Sequence, residues 1–430
     1  MNRLELDKAS ILAVIISLLA DELKALRHLS SHQTGSERWS ASTLIGEMQE
    51  TSRLDQDEIA IGADSLELLS LATCVAMFFN IYESGLEDYL LRFKTLGEWA
   101  DLVATARRRG TENVTFATSG STGTPKQCLQ QWDALVTETS FFAEYFGSSS
   151  NLPTQRIIAL SPCHHIYGFI FSILLPLQLQ LPAVIRAPKA LAMIHQRKLR
   201  AGDLMIGFPF IWRQLSRQGT SFPAGTKAIT STGPCDPTII RELQNQGIDC
   251  MVEVYGSSET AGIGVRSNPD SPFQLLPRWQ RGNNATTLAE CETGTEYELD
   301  DELKWLGQTH FLPEGRRDEC VQVGGINVFP SRITERLQSL PEVAAAAVRL
   351  MSALEGERLK AFIVPVEGYV DHEALEAFLH AWCIRNLMAV ERPKAFTFGL
   401  TLPHNLMGKQ SDWPIKAGIS AEALLMEMIE

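Results

Sequence analysis

The sequence predicts an α/β protein in three parts: a helical segment over residues 1–107, a large α/β domain over 111–316 and a small α+β domain over 319–430. Three observations carry this reading. Apolar residues keep a helical spacing from Leu6 to about Arg107 with little strand alternation. Short apolar runs, each followed by a loop rich in Gly, Ser, Thr or Pro, then alternate with helical stretches. Beyond Val343, three strand-like runs surround a single helix.

Taken in order, the most apolar N-terminal run, Ile11 to Ala20, follows Glu5 and Asp7 and is closed by Asp21 and Glu22. It is too short to cross a bilayer, and with acidic residues on both sides it reads as an amphipathic helix, not a signal peptide. Asp64, with Glu67 three residues on, makes a capping box. Leu68, Leu71, Ala72, Val75 and Phe78 then give the helix that follows one apolar face. The basic, turn-prone stretch from Arg107 to Thr111 is expected to be a linker. Ile157–Leu160, Ala183–Ile185, Leu204–Ile206 and Met251–Val254 are the expected strands of the large domain. Open α/β sheets gather ligands at the carboxyl ends of their strands, which places the site in the loops after these runs. Val343–Arg349, Leu359–Val366 and Ala395–Leu400 are the expected strands of the small domain, with a helix from about His372 to Leu387.

With 38 basic against 51 acidic residues, the formal net charge of -13 argues against nucleic acid or an anionic membrane as the main partner, and no membrane insertion is expected. The eight cysteines are scattered, without a C-x-x-C pair or metal-ligand spacing, which fits a reducing cytoplasm.

The most informative stretch is Phe116-Ala117-Thr118-Ser119-Gly120-Ser121-Thr122-Gly123-Thr124-Pro125-Lys126. Glycines let the backbone approach an anion, hydroxyls and main-chain N–H groups donate to its oxygens, and Lys126 adds a point charge. ATP is therefore the first ligand to consider. The loop is not of the Walker type G-x-x-x-x-G-K-[ST], because Pro125 replaces its second glycine and Gln127 its metal-binding hydroxyl.

Joined to Val254-Tyr255-Gly256-Ser257-Ser258-Glu259-Thr260, Gly315-Arg316-Arg317-Asp318 and Leu402-Pro403-His404-Asn405-Leu406-Met407-Gly408-Lys409, in that order, this loop resembles the adenylate-forming superfamily of acyl- and aryl-CoA synthetases, peptide-synthetase adenylation domains and luciferases. The resemblance runs from about Val114 to the region of Lys416. It implies that Thr118 to Thr124 and Lys126 hold the β- and γ-phosphates of ATP, that Tyr255 and Gly256 lie against the adenine, and that Ser258 donates to the α-phosphate. Glu259 would hold Mg²⁺. Asp301, fifteen residues before Arg316, would grip the ribose hydroxyls with it, with Asp300 as the rival. Asp318 would be the hinge of the small domain, and Lys409 the cation that bridges the carboxylate and the α-phosphate. Pro162-Cys163-His164-His165-Ile166-Tyr167-Gly168 resembles the superfamily's P-x-x-H-x-x-G and would set His165 at the mouth of the acid pocket. Ser231-Thr232-Gly233-Pro234 would contact adenine and acid, through Gly233 among others. The chain departs from the superfamily in lacking most of the long N-terminal portion of the large domain, and in Trp132, Arg332 and the absence of an arginine soon after Lys409.

A second resemblance lies in the first hundred residues. Ile61-Gly62-Ala63-Asp64-Ser65-Leu66-Glu67-Leu68-Leu69 looks like the D-S-L motif of acyl carrier proteins, which implies phosphopantetheine on Ser65. A degenerate carrier kept for docking, or Asp64 acting simply as a helix cap, would leave the same trace. The expected activity is a ligase that adenylates an aryl or acyl carboxylic acid with Mg-ATP and passes it to a phosphopantetheine thiol, on a carrier protein in preference to free CoA. A CoA synthetase and a non-catalytic nucleotide-binding module are the alternatives.

Overall fold

The computed structural model describes residues 4–27, 34–46, 59–118, 126–148, 152–182, 184–316, 320–352, 355–366, 371–403 and 412–415. The chain forms two compact units. The larger combines Met1–Thr118, Gln127–Leu299 and Leu303–Leu312, and the smaller contains Pro313–Glu430 with the short pieces Ser119–Lys126 and Asp300–Glu302.

The larger unit starts with α1 (Lys8–Leu26), β1 (Leu44–Gly46), β2 (Ala60–Ala63), α2 (Ser65–Phe78) and α3 (Leu96–Arg108). Asp7 caps α1, accepting from Ser10 N at 2.7 Å, and the helix buries Ile11, Val14, Ile15, Leu18, Leu19 and Leu23 along one stripe. The capping box at Asp64 and Glu67 forms as expected, and α2 buries Leu71, Ala72, Val75 and Phe78. The sequence shows no sign of the short parallel pair β1–β2.

These helices do not stand as a bundle of their own. Phe78 meets Phe116 and Phe169 edge-on, with centroids at 5.2 and 5.8 Å, inside a core that continues into the α/β part. Trp132 Nε1 donates to the Leu4 carbonyl at 3.0 Å, and Arg107 lies over the Trp132 ring at 4.2 Å. The stretch expected as a linker is therefore the last two residues of α3 with its C-cap Arg109 and the turn that follows, tied through Arg107 to the start of the next helix.

Next come the strand pair β3 (Val114–Thr118) and β4 (Lys126–Gln130), and α4 (Trp132–Ser148). The main sheet is built from β5 (Arg156–Ala159), β6 (Val184–Arg186), β7 (Asp203–Gly207), β8 (Thr226–Thr230), β9 (Ile248–Ser257), β10 (Ala261–Arg266) and β11 (Phe273–Leu275). β12 (Trp279–Arg281), β13 (Thr287–Glu290) and β14 (Glu296–Glu298) form a separate sheet, after which β15 (Asp301–Trp305) and β16 (His310–Arg316) complete the main one. Its order is β15-β16-β11-β10-β9-β8-β7-β5-β6, parallel from β6 to β9 and antiparallel from β9 through β10 and β11 to β16. Ile157, Leu204, Ile206, Ile229 and Val252 point into one core, while Ile158, Met205, Ala228 and Met251 point into the other. Both faces are covered, which is why these strands read as unbroken apolar runs. The crossovers are α5 (Ile166–Phe169), a π turn (Ile170–Leu174), α6 (Leu175–Gln178), α7 (Lys189–His195), α8 (Pro209–Arg217) and α9 (Pro237–Asn245).

The smaller unit holds the hairpin β17 (Val321–Val323) and β18 (Ile326–Val328), then α10 (Pro330–Gln338), β19 (Val343–Leu350), β20 (Leu359–Pro365), α11 (His372–Asn386) and β21 (Ala395–Phe398). Its sheet runs β19-β20-β21, and the strands and helix expected from the sequence fall in place. Lys360 on β20 is fully enclosed. Its ammonium donates to Glu355 Oε2 at 2.9 Å and to the Trp413 carbonyl at 2.7 Å, and pairs with Asp412 at 3.0 Å. Residues 119–124, Asp318 and Lys409 lie outside the described residues.

Candidate functional site

The parallel strands β7 and β8 end at Gly207 and Thr230, and the Tyr167 hydroxyl lies 2.8 and 2.7 Å from the carbonyl oxygens of Gly207 and Ile229. That contact sets the segment Pro162–Gly168 at the carboxyl edge of the sheet, where an α/β fold binds its ligands. Gly168 is required by a close approach, because a Cβ there would overlap the Pro162 carbonyl oxygen. His165 caps α5 through its carbonyl, which accepts from Phe169 N at 2.7 Å. The side chain of His165 is exposed, yet the protein crowded around it and the neighbouring His164 keep its imidazole below the ordinary range, so it is neutral at pH 7.

After β8 the chain passes Ser231, Thr232 and Gly233. Ser231 Oγ donates to the Val254 carbonyl at 2.8 Å and so joins this strand end to β9. Thr232 adopts φ 73°, a left-handed conformation that a β-branched residue takes only under constraint. The hydroxyls of Ser161, Thr230 and Thr232 are buried without a protein partner. Orphaned hydroxyls grouped at strand ends suit a polar ligand.

β9 ends in Tyr255-Gly256-Ser257. The Tyr255 ring packs against Phe273 at 5.7 Å and Phe311 at 5.4 Å. A Cβ on Gly256 would run into the backbone of Ala261, so the return into β10 admits no side chain there. Ser257 Oγ and Thr260 Oγ1, 3.1 Å apart, close the turn that carries Ser258 and Glu259 at its tip. Gln130, at the end of β4, donates from Nε2 to the carbonyl oxygens of Ser258 at 2.7 Å and Glu259 at 2.9 Å. This one amide fastens the strand leaving the glycine-rich loop to the turn of the second motif. Nothing in the sequence singled out Gln130.

Behind this turn, Glu138 on α4 is buried and accepts from Gly262 N at 2.9 Å. Burial pushes its carboxyl up to about 7, against the pull of that hydrogen bond and of Arg278. Asp301 opens β15 and Arg316 closes β16, neighbouring strands whose connecting turn is held by Leu306 N donating to the His310 carbonyl at 2.8 Å. Both residues therefore stand at the open end of one hairpin. Ser65 is exposed in the first turn of α2, beside the ion pair of Arg27 and Glu67 at 2.6 Å, and is not among the residues these contacts gather.

An α/β sheet with unpartnered hydroxyls at its strand ends suits a polar ligand, and comparison with known families names the class. The family described as AMP-binding enzyme matches residues 111–296, and the AMP-binding enzyme C-terminal domain matches residues 333–409. A 4-coumarate–CoA ligase of Halorhodospira halophila is 40% identical over 362 residues, 83% of this chain and 89% of its own length. Another 4-coumarate–CoA ligase, of Cereibacter sphaeroides, is 37% identical over 411 residues, covering 95% of this chain and 97% of its own. The amide bond synthetase of Marinactinospora thermotolerans shares the fold, with a TM-score of 0.56 at 14% identity over 93% of this chain and 92% of that one. The chain belongs to the AMP-binding enzyme family. It is an AMP-forming acid–thiol ligase.

Proposed function

We propose that the protein activates an aryl-substituted carboxylic acid of the 4-coumarate type as its adenylate and passes the acyl group to the thiol of CoA. The observation that carries the chemistry is Gln130, which holds the exit of the phosphate loop against the turn bearing Ser258 and Glu259. The choice of acid and acceptor is supported by the two 4-coumarate–CoA ligases, at 37% and 40% identity.

Carboxylate and α-phosphate are both anions, so their reaction needs orientation and positive charge more than a strong nucleophile. In this reading Thr118 to Thr124 and Lys126 receive the β- and γ-phosphates, Ser258 donates to the α-phosphate, and Tyr255 and Gly256 with Gly233 flank the adenine. Asp301 and Arg316 hold the ribose, and Lys409 neutralises the two reacting groups. His165, neutral, faces the acid. Among the described residues no three His, Cys, Asp or Glu gather as a metal cluster. A hard cation held by the single carboxylate of Glu259 and by substrate phosphates needs none, so the donor set fits Mg²⁺. When bound, Mg²⁺ offsets the charge of the phosphates. Rotation about Asp318 then withdraws Lys409 and admits the thiol.

ATP–pyrophosphate exchange that depends on 4-coumarate and collapses in Lys409→Ala tests the first half. Asp318→Pro should keep exchange and lose 4-coumaroyl-CoA; equal loss of both contradicts the hinge.

A carrier-protein acceptor is the second reading, favoured by the exposed Ser65 flanked by Leu66 and Leu69, which are 79% and 52% exposed. Intact mass after incubation with CoA and a phosphopantetheinyl transferase decides it: a gain lost in Ser65→Ala supports modification. Among the described residues no helix is long and apolar enough to cross a membrane.

A further inference from the structure

We propose that α1 is a positioning element for the acid site, with Ser17 and Asp21 setting the ring of His165 through His164. The inference rests on the reading that His165 faces the acid, and extends the site into the N-terminal helices.

Ala13, Ser17 and Asp21 are spaced four apart and so share one face of α1. All three meet the segment that carries His165. Cys163 Sγ donates to the Ala13 carbonyl at 3.3 Å, Ser17 Oγ lies 2.7 Å from His164 Nδ1, and Asp21 Oδ2 lies 3.6 Å from His164 Nε2. His164 is nearly enclosed, with 9% of its side chain exposed. Its ring rests on that of His165, centroids 4.3 Å apart and planes tilted by 51°. In the proposed arrangement Ser17 O–H donates to Nδ1, and Nε2–H points toward the Asp21 carboxylate, which at 3.6 Å is an electrostatic neighbour and not a hydrogen-bond partner. That arrangement fixes the orientation of the His164 ring, and the ring fixes its neighbour by contact.

An ordinary packing role for α1 would make Ser17 a matter of stability alone. A positioning role predicts a selective change in how the acid is held. Deleting this partly buried hydrogen bond is expected to raise KM for 4-coumarate about three- to tenfold in Ser17→Ala while KM for ATP stays at the parent value. Ser17→Thr, which restores the hydroxyl, should return KM for the acid to the parent value. Ser17→Cys keeps the shape with a weak donor and gives the same reading should the alanine variant fail to fold.

The measurement is initial-rate ATP–pyrophosphate exchange on the full chain with either substrate varied, paired with NMR of ¹⁵N-histidine-labelled protein. The ring signals are assigned from His164→Gln and His165→Gln. Signals of both rings moving in Ser17→Ala, with the acid-specific rise in KM, would support the inference. Equal movement of both KM values, or unmoved His165 signals, would overturn it. A parent that ignores 4-coumarate would count against the proposed acid, and the NMR result would still decide the role of α1.

Discussion

Gln130 Nε2 donates to the Ser258 carbonyl at 2.7 Å across 128 residues of sequence, and the same nitrogen reaches Glu259. Two segments that the proposed mechanism assigns to different phosphates of ATP are thus held by one neutral side chain that is only 2% exposed. Replacing it with leucine strands two carbonyl groups and costs roughly 1–3 kcal/mol. In Gln130→Leu, kcat/KM for ATP in the exchange reaction should fall at least tenfold. Gln130→Glu, which turns acceptors toward acceptors, should do no better. Parent-like kinetics in both variants would remove Gln130 from the site.

Gly168 should tolerate no side chain. A methyl group there overlaps the Pro162 carbonyl, so Gly168→Ala must displace the segment that carries His165. We expect acid-dependent exchange to drop by more than an order of magnitude while circular dichroism retains the helix and strand signal. An alanine variant with parent kinetics would show that the segment yields cheaply.

Glu138 gives the larger unit a pH dependence of known sign. Its carboxyl is pushed up to about 7 in the folded protein against 4.5 ordinarily, so the folded state holds this proton more tightly than the unfolded one. The resulting stability is complete below pH 4.5 and is lost as pH rises through 7. Denaturation of the parent between pH 5.5 and 8 should reveal a loss of roughly 1–3 kcal/mol that Glu138→Gln lacks. An identical loss in the glutamine variant would assign it elsewhere.

Lys360 should prove a stability residue of the smaller unit. The hydrogen bond from Lys360 lowers the Glu355 carboxyl to about 2 from 4.5, so this contribution is present above pH 4.5 and disappears as pH falls through 2. Lys360→Met removes the cation from Glu355 and Asp412 together. Both carboxylates keep some access to water, so the loss should be smaller than the roughly 3–5 kcal/mol of a fully buried pair. Thermal unfolding should show it, with an acid limb shallower than the parent's.

The main sheet was legible because its strands are apolar on both faces: the Leu204–Ile206 and Met251–Val254 runs lie inside β7 and β9. The second motif was legible for a different reason, since Gly256 has no room for a Cβ and Ser257 with Thr260 must close the turn. Other features left no periodic mark. β1 and β2, at three and four residues, are too short to alternate. A lone polar residue ending a strand, like Gln130, reads as surface. An apolar stripe on α1 or α2 says that something covers it, not what, and so the shared packing of Phe78 with Phe116 and Phe169 could not be foreseen.

That packing bears on how the protein can be cut. The family match starts at residue 111, which invites expression of a shortened catalytic fragment from that point. Such a fragment would leave Phe116, Phe169 and Trp132 without partners that now help enclose them, and so open a greasy scar on the α/β part. Whatever ancestry the first hundred residues have, the α/β part is not a stand-alone module that could be harvested or swapped without them.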